Sequence, residues 1–397
     1  MWRVAIAYRR TLLRRTRVVA VVGSLGKTTT VRAVGATLRR ETNWQRGNAR
    51  NAPVKNLLRV RPLARHAVLE IAASAPGKMA RPARLLRPDV VVVTSIGSEH
   101  NRSYGTLEAA RDEKAVMVRA LRPRGTAILN GDDPHVRWMA GQTKARVLTF
   151  GFEAGNDVRG SQLELDWPRG NRLSVEAGGE RRTLQTRLLG WPMAYAALAA
   201  VAVALSENVP LSVAAPRIEA LEPSPGRLEL VSLDNGAFVL RDDFKSTLES
   251  IHSALDVLAD VPARRKIVVF GDVSEPPGSQ GAIYWRIGER VAEIADRFIV
   301  LGSSYQRYAA GAKRAGFPPA ALADAKRDVL RAVEIASEGL GPGDVVLVKG
   351  RDSQKLDRVS LALAGRRVCC TLEHCDLRMT RCASCAQLER EPLPART

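Results

Sequence analysis

Apolar residues along the chain fall into short runs separated by longer amphipathic stretches, and the two alternate. Runs at 18–22, 66–71, 89–95, 126–129 and 146–150 have the length and β-branched content of buried strands. Between them, positions 28–40, 106–121 and 194–205 repeat their apolar residues at helical spacing. Pro223, Pro225 and Gly226 break the pattern. Beyond the break, strands are expected at 237–240, 266–270, 297–301 and 344–349, and helices at 247–259, 284–295 and 327–337. Alternation of this kind predicts mostly parallel sheets covered by helices, so the fold class expected is α/β. Two domains are expected, at 17–222 and 223–366, with a basic segment at 1–16 before them and a cysteine-rich tail at 367–397 after them.

The first apolar run leads directly into chemistry. Residues 20–30 read Ala-Val-Val-Gly-Ser-Leu-Gly-Lys-Thr-Thr-Thr, a strand, a glycine turn, then a lysine with hydroxyl residues. Backbone N–H groups at Gly23, Ser24 and Gly26 can point at phosphate oxygens, Lys27 adds a point charge, and Thr28 and Thr29 open the next helix. This loop predicts ATP as a ligand, with Mg²⁺ at Thr28. Val21 stands where the full phosphate-loop pattern has its first glycine, and an ordinary strand-to-helix turn is the competing reading. Glu70 ends the second run and His100 follows the third. In a parallel sheet both fall at the carboxyl edge beside the phosphates, where a carboxylate and an imidazole suit a divalent metal.

Composition narrows the partners. The 397 residues carry a net charge of +20 but only 5% aromatics, which argues against a stacking platform for single-stranded nucleic acid. The basic residues are scattered, so a solvated surface is expected and a nucleic-acid partner is not. No apolar run approaches the roughly 20 residues of a spanning helix, and the start holds too many arginines for a secretory signal. A cytoplasmic protein is expected. Trp2, Val4, Ile6, Ala7, Leu12 and Leu13, interleaved with arginines, outline a short basic amphipathic helix. Packing against the following domain is favoured for it over contact with membrane headgroups. All five cysteines lie in the last thirty residues. Cys370, Cys375, Cys382 and Cys385, with His374 alongside, suit a structural Zn²⁺ site, the alternative being a reduced tail without metal.

The order of motifs resembles the Mur ligase family. They are Gly23-Ser-Leu-Gly-Lys-Thr-Thr, Val68-Leu-Glu70, Ser95-Ile-Gly-Ser-Glu-His100, Tyr104-Gly-Thr-Leu-Glu-Ala-Ala-Arg-Asp-Glu-Lys114, Leu129-Asn-Gly-Asp-Asp-Pro134, Gly226-Arg227, Arg241-Asp-Asp-Phe-Lys245-Ser-Thr247, Val269-Phe-Gly-Asp272 and Val346-Leu-Val-Lys349-Gly350. The resemblance spans residues 17–365 and is nearest to the branch that adds D-alanyl-D-alanine to a muramoyl tripeptide. It implies a P-loop central domain followed by a Rossmann-like domain, and an enzyme that joins a small-molecule carboxylate to an amine with ATP and Mg²⁺, releasing ADP and phosphate. It further implies that Lys27 and Thr28 hold phosphates and metal, that Glu70 and His100 join the metal shell, and that Lys114 serves as a carbamate ligand for a second metal. Arg227 and Asp243 would approach the nucleotide, and Lys245 the acyl phosphate.

Several positions depart from the family pattern. Leu25 replaces a polar residue in the loop, Pro192 and Met193 replace a His-Asn pair, and Ala196 stands where an asparagine often meets adenine. The phosphate strand begins near Arg17, so the family's N-terminal UDP-sugar domain is expected to be missing or supplied by a partner chain. A nucleotide-binding scaffold that kept the fold without the catalysis is the alternative function.

Overall fold

The computed structural model describes residues 1–39, 52–276, 280–377 and 380–390. It divides into two units, Met1–Glu222 and Pro223–Thr397. The last residue of the helix expected at 28–40 and the end of the tail lie outside the described residues.

The first unit runs α1 (Trp2–Arg10), β1 (Arg17–Val22), α2 (Lys27–Thr37), α3 (Ala52–Leu58), β2 (His66–Glu70), α4 (Ala80–Leu86), β3 (Val90–Val93), α5 (Asn101–Tyr104), α6 (Leu107–Arg119) and β4 (Thr126–Asn130). It continues with α7 (Pro134–Arg137), β5 (Arg146–Gly151), β6 (Val158–Asp166), β7 (Gly170–Ala177), β8 (Glu180–Thr186), α8 (Trp191–Ser206) and α9 (Leu211–Glu219). The eight strands form one sheet in the order β2-β1-β3-β4-β5-β6-β7-β8. Pairing is parallel from β2 to β6 and antiparallel from β6 to β8. Parallel strands covered on both faces read as unbroken apolar runs, and all four valines of β3 are fully buried. Helix α8 is apolar nearly all round and packs on α2, as expected of a helix enclosed by its own domain.

The basic N-terminal helix is docked. Ala5 and Leu13 are fully buried, Trp2, Ile6 and Tyr8 pack against the same core, and the Tyr8 hydroxyl donates to Val60 O at 2.6 Å. Arg9 is 2% exposed and donates to Leu86 O at 2.9 Å and Asp89 Oδ2 at 3.3 Å. The arginine that sequence pattern assigns to the polar face thus closes carbonyls and a carboxylate at the base of the sheet. No helix among the described residues is long and apolar enough to cross a membrane.

The second unit runs β9 (Glu229–Ser232), β10 (Phe238–Asp242), α10 (Leu248–Asp260), β11 (Lys266–Phe270), α11 (Gln280–Ile294), β12 (Arg297–Val300), α12 (Tyr305–Arg314), β13 (Leu322–Asp324), α13 (Val329–Ser337), β14 (Val345–Lys349) and α14 (Asp357–Leu363). Its sheet has the order β13-β12-β11-β14-β10-β9, parallel except for β9. The chain leaves β11 toward β12 and later returns to β14 on its other side. The carboxyl ends of β11 and β14 therefore flank a topological switch point, where open α/β sheets form crevices.

The tail folds back on this unit, and the expected zinc ligand set is not assembled. Among the described residues no three His, Cys, Asp or Glu side chains are grouped to hold a metal. Cys382 is buried, its backbone N–H donates to Asp357 Oδ2 at 3.0 Å, and Val368 and Leu388 share its apolar pocket. Cys370 Sγ lies 3.5 Å from an Arg358 guanidinium nitrogen instead. Cys370 and Cys382 lie in separate surroundings, so the short sequence spacing does not become convergence among the described residues.

Candidate active site

The site begins where β1 ends. Register places Val21 opposite Glu70 and Val22 opposite Val93, so the phosphate loop, the end of β2 and the segment after β3 meet at one edge. Gly23 has φ +142°, and a Cβ there would collide with the Thr94 hydroxyl and approach Ser95 N to 3.0 Å. Only glycine lets the loop lie this close to its neighbour. Gly26, at φ +78°, turns the chain into α2. The loop is braced from outside: Ser24 N donates to Ser95 O at 2.8 Å, Leu25 N to Ser95 Oγ at 3.1 Å, and Gly97 N to Ser24 Oγ at 2.9 Å.

Lys27 is 5% exposed and curls back over this loop. Its ammonium donates to Gly23 O at 2.8 Å, Ser24 O at 2.9 Å and Glu99 Oε2 at 2.9 Å. All three protons of this point charge are thereby taken up by protein acceptors. Thr28 Oγ1 donates to Glu70 Oε2 at 2.8 Å, which sets two hard oxygen donors side by side. Thr29, by contrast, is buried within α2, and its hydroxyl is without a hydrogen-bond partner. His100 has φ +62°, and its Nε2 lies 3.6 Å from Glu99 Oε1. Lys114 is 3% exposed on α6, with its ammonium 5.1 Å from the centre of the Tyr104 ring. The neighbouring Glu113 accepts the backbone N–H groups of Gly77 at 2.7 Å and Met79 at 2.5 Å, fixing this helix to the segment after β2.

Two strands further along the same edge, Asp132 follows β4. It accepts from Phe152 N at 2.6 Å, Asn156 Nδ2 at 2.8 Å and the Tyr195 hydroxyl at 2.7 Å. Burial works against its charge, but these donors outweigh it and hold its carboxyl below the ordinary range. Tyr195 meets Phe152 and Trp191 edge to face, with centroids 5.1 and 5.8 Å apart. Trp191 and Tyr195 lie one turn apart on α8. Ala196 is buried in the helix packing.

The remaining expected residues belong to the second unit. The Arg227 guanidinium lies 4.7 Å from the centre of the Phe244 ring. Asp243 is buried against Arg241, whose Nε donates at 3.0 Å. Burial pushes the Asp243 carboxyl up to about 7 against the pull of Arg241, with nearby Asp357 adding to the rise. The backbone carbonyl of Lys245 accepts from Lys349 Nζ. Lys349 is fully buried, and its ammonium also reaches Asp242 Oδ2 at 2.7 Å and Ser250 Oγ at 3.0 Å. Burial lowers its pKa, opposed by Asp242.

Sequence reasoning had assigned no role to Glu99, Asp132, Tyr195 or Lys349. The signal for Glu99 was its position beside His100, and for Lys349 a charge ending a run of buried valines.

Comparison with known proteins now decides the family. A model described as the Mur ligase middle domain matches residues 21–204, and one described as the Mur ligase glutamate ligase domain matches 226–351. The chain belongs to the Mur ligase family. Among relatives, the UDP-N-acetylmuramoyl-tripeptide--D-alanyl-D-alanine ligase of Mycobacterium tuberculosis is 28% identical over 375 residues, covering 89% of this chain and 74% of the relative. The Escherichia coli enzyme of the same name is 30% identical over 302 residues, covering 72% and 64%. In fold, this Mur ligase chain is similar to MurF from Acinetobacter baumannii, with a TM-score of 0.80, 24% identity, and 91% of this chain and 79% of that one covered. It is also similar to MurF from Thermotoga maritima in complex with ADP, with a TM-score of 0.78, 22% identity, and coverage of 92% and 82%.

Proposed function

We propose that this Mur ligase is an ATP-dependent, ADP-forming carboxylate-amine ligase acting on a peptidoglycan precursor. UDP-N-acetylmuramoyl tripeptide is the carboxylate and D-alanyl-D-alanine the amine that its relatives' names suggest. The observation that carries the reading is the buried Lys27 ammonium over a braced glycine loop. In the first step a carboxylate oxygen attacks the γ-phosphorus and ADP leaves. In the second, the amine nitrogen attacks the acyl carbon, a proton is lost from nitrogen, and phosphate leaves. Phosphoryl transfer asks chiefly for positioning and charge neutralisation. Lys27 supplies both by turning from Glu99 to the phosphates, and because Ser95 already engages the N–H groups of Ser24 and Leu25, phosphate oxygens would fall to the N–H groups at the start of α2.

The paired oxygens of Thr28 and Glu70 fit Mg²⁺, a hard cation that prefers oxygen ligands. His100 would complete that shell, and Lys114, as a carbamate, would hold a second ion. Bound Mg²⁺ supplies charge neutralisation on phosphate oxygens. Arg227, Asp243 and Lys245 are assigned to the nucleotide and the acyl phosphate.

The test is phosphate release from Mg-ATP by the purified full chain with both substrates, alongside Lys27→Ala. Release that requires both substrates, forms ADP and disappears in the variant supports a ligase. ATP binding without release under these conditions would instead favour a scaffold.

A further inference from the structure

The edge of the first sheet opposite the phosphate loop carries a surface that the ligase reading leaves unused. Strand register aligns the amino ends of β1 to β5, with Arg17 opposite His66, Val19 opposite Val90, Val90 opposite Thr126 and Thr126 opposite Arg146. At about 3.3 Å per residue, β1 separates this edge from Gly23 by about 20 Å. Basic residues that are scattered along the sequence collect here. Arg14 and Arg15 precede β1, Arg65 precedes β2, Arg87 precedes β3 and Arg124 precedes β4, all of them exposed, and exposed Arg10 joins them from the end of α1.

Folding ties these segments into one surface. Arg9 donates to Leu13 O at 2.5 Å, Thr16 O at 3.3 Å and Leu86 O at 2.9 Å, which fixes the turn after α1 against the one before β3. Arg17 N donates to Arg65 O at 2.9 Å, and Thr126 N to Asp89 O at 3.0 Å. The carboxylates met at this edge are withdrawn from solvent. Asp89 pairs with Arg9 and Arg122, both at 3.3 Å, and Glu207 with Arg17 at 2.7 Å, their side chains only 12% and 6% exposed. No acidic residue occurs before position 41, so the field directed outward is positive.

Apolar side chains stand out among the arginines. Val4 is 61% exposed, Leu12 56% and Leu63 91%. Helix α1 buries Ala5 and Arg9, while Val4, Ala7 and Thr11 face outward at helical spacing with Arg3 and Arg10 beside them. The bond from the Tyr8 hydroxyl to Val60 O brings the loop of Leu63 alongside this helix. Cations mixed with protruding aliphatic chains match the interface of an anionic bilayer, where lipid phosphates take the guanidinium groups and the aliphatic tips enter the acyl boundary. A nucleic-acid backbone would use the charge but leave the aliphatic chains in water. We propose that this edge docks the protein peripherally on an anionic membrane surface, with the phosphate loop facing away from the lipid. The inference stands independently of the ligase reading.

The test is co-sedimentation of the full chain with phosphatidylcholine vesicles, with and without phosphatidylglycerol. The native chain should partition onto the anionic vesicles at least about tenfold more strongly than onto the neutral ones, and salt at about 1 M, where the Debye length is about 3 Å, should release it. At about fivefold per basic group near a charged surface, the combined Arg10→Gln, Arg14→Gln and Arg15→Gln variant should lose about a hundredfold in partition. Leu12→Ser with Leu63→Ser should lose about tenfold or more. These side chains are exposed and lie at the far edge from the phosphate loop, so melting temperature and ADP affinity should stay native in both variants. Equal binding to the two vesicle types, binding to neither, or binding unaffected by both sets of substitutions would overturn the inference. Retention on duplex DNA without vesicle binding would also overturn it and make the partner a nucleic acid. Self-association abolished by the leucine substitutions, again without vesicle binding, would overturn it in favour of a second copy of the chain.

Discussion

Replacing Glu99 by glutamine should tighten nucleotide binding while weakening the free protein. Lys27 and Glu99 are 5% and 8% exposed and 2.9 Å apart. Their gross attraction at that distance is about 6 kcal/mol for an effective dielectric of about 20, much of it offset by desolvation. Removing one partner of a buried pair costs about 3–5 kcal/mol, because the other charge is left uncompensated. The lower end applies here, since Lys27 keeps its bonds to Gly23 O and Ser24 O. When nucleotide binds, phosphate replaces Glu99 as the counter-charge, so the bound state loses little. The thermodynamic cycle then gives tighter binding by up to about 3 kcal/mol, roughly a hundredfold in Kd. The assay is ADP binding in the presence of EDTA, which removes any metal-mediated part, together with melting curves. Free Glu99→Gln should melt earlier than the native chain, and saturating ADP should narrow the gap. Weaker ADP binding in the variant would refute the reasoning and make Glu99 a nucleotide ligand.

Three other outcomes follow from particular contacts. Gly23→Ala places a methyl group against Thr94 in backbone that disfavours side chains, so ADP affinity should fall at least about tenfold, at a stability cost of about 1–3 kcal/mol; native affinity would contradict the packing. Asp344 is fully buried, and the hydrogen bonds of Arg265 and Arg264 outweigh the opposing effect of burial to bring its carboxyl to about 2. Its folded value lies below the unfolded one, so its stabilisation is present above about pH 4 and fades as pH falls toward 2. Urea melts of Asp344→Asn should show a loss of about 2–3 kcal/mol at pH 7 that shrinks over that window, and a pH-independent gap would be inconsistent. Burial, then Asp357, raises the Cys382 thiol far above its ordinary range, so Cys382 should be alkylated last of the five cysteines. Fast Cys382 labelling, or one zinc per purified chain, would contradict the tail's structure.

The parallel strands were legible because burial on both faces leaves an uninterrupted apolar signature, as in Val90–Val93. The phosphate loop was legible because its glycines answer a local backbone need. The antiparallel strands β6 to β8 escaped notice: β8 reads Glu-Arg-Arg-Thr-Leu-Gln-Thr, with only Leu184 and Thr186 buried. A sheet with one wet face gives too few apolar positions for such a segment to stand out. Helix α9 was obscured by Pro216 within it, and α12 by its polar composition. Motif order singled out Lys27, Glu70 and His100 as candidates, but adjacency in sequence did not reveal that Glu99 is what Lys27 meets. The same limit governs the tail. A Cys-x2-Cys spacing is local information, whereas metal binding needs side chains to converge, and here Arg358 and Asp357 hold two of the cysteines in separate contacts.

The measurement that bears most directly on the ligase mechanism follows oxygen atoms. UDP-N-acetylmuramoyl tripeptide labelled with ¹⁸O in its reacting carboxylate is incubated with Mg-ATP, D-alanyl-D-alanine and the full chain, and the phosphate released is analysed by mass spectrometry. An acyl phosphate transfers one carboxylate oxygen to phosphorus, so the account predicts one ¹⁸O in the inorganic phosphate for each amide formed, with ADP as the other product. Unlabelled phosphate, or label appearing in AMP, would contradict it.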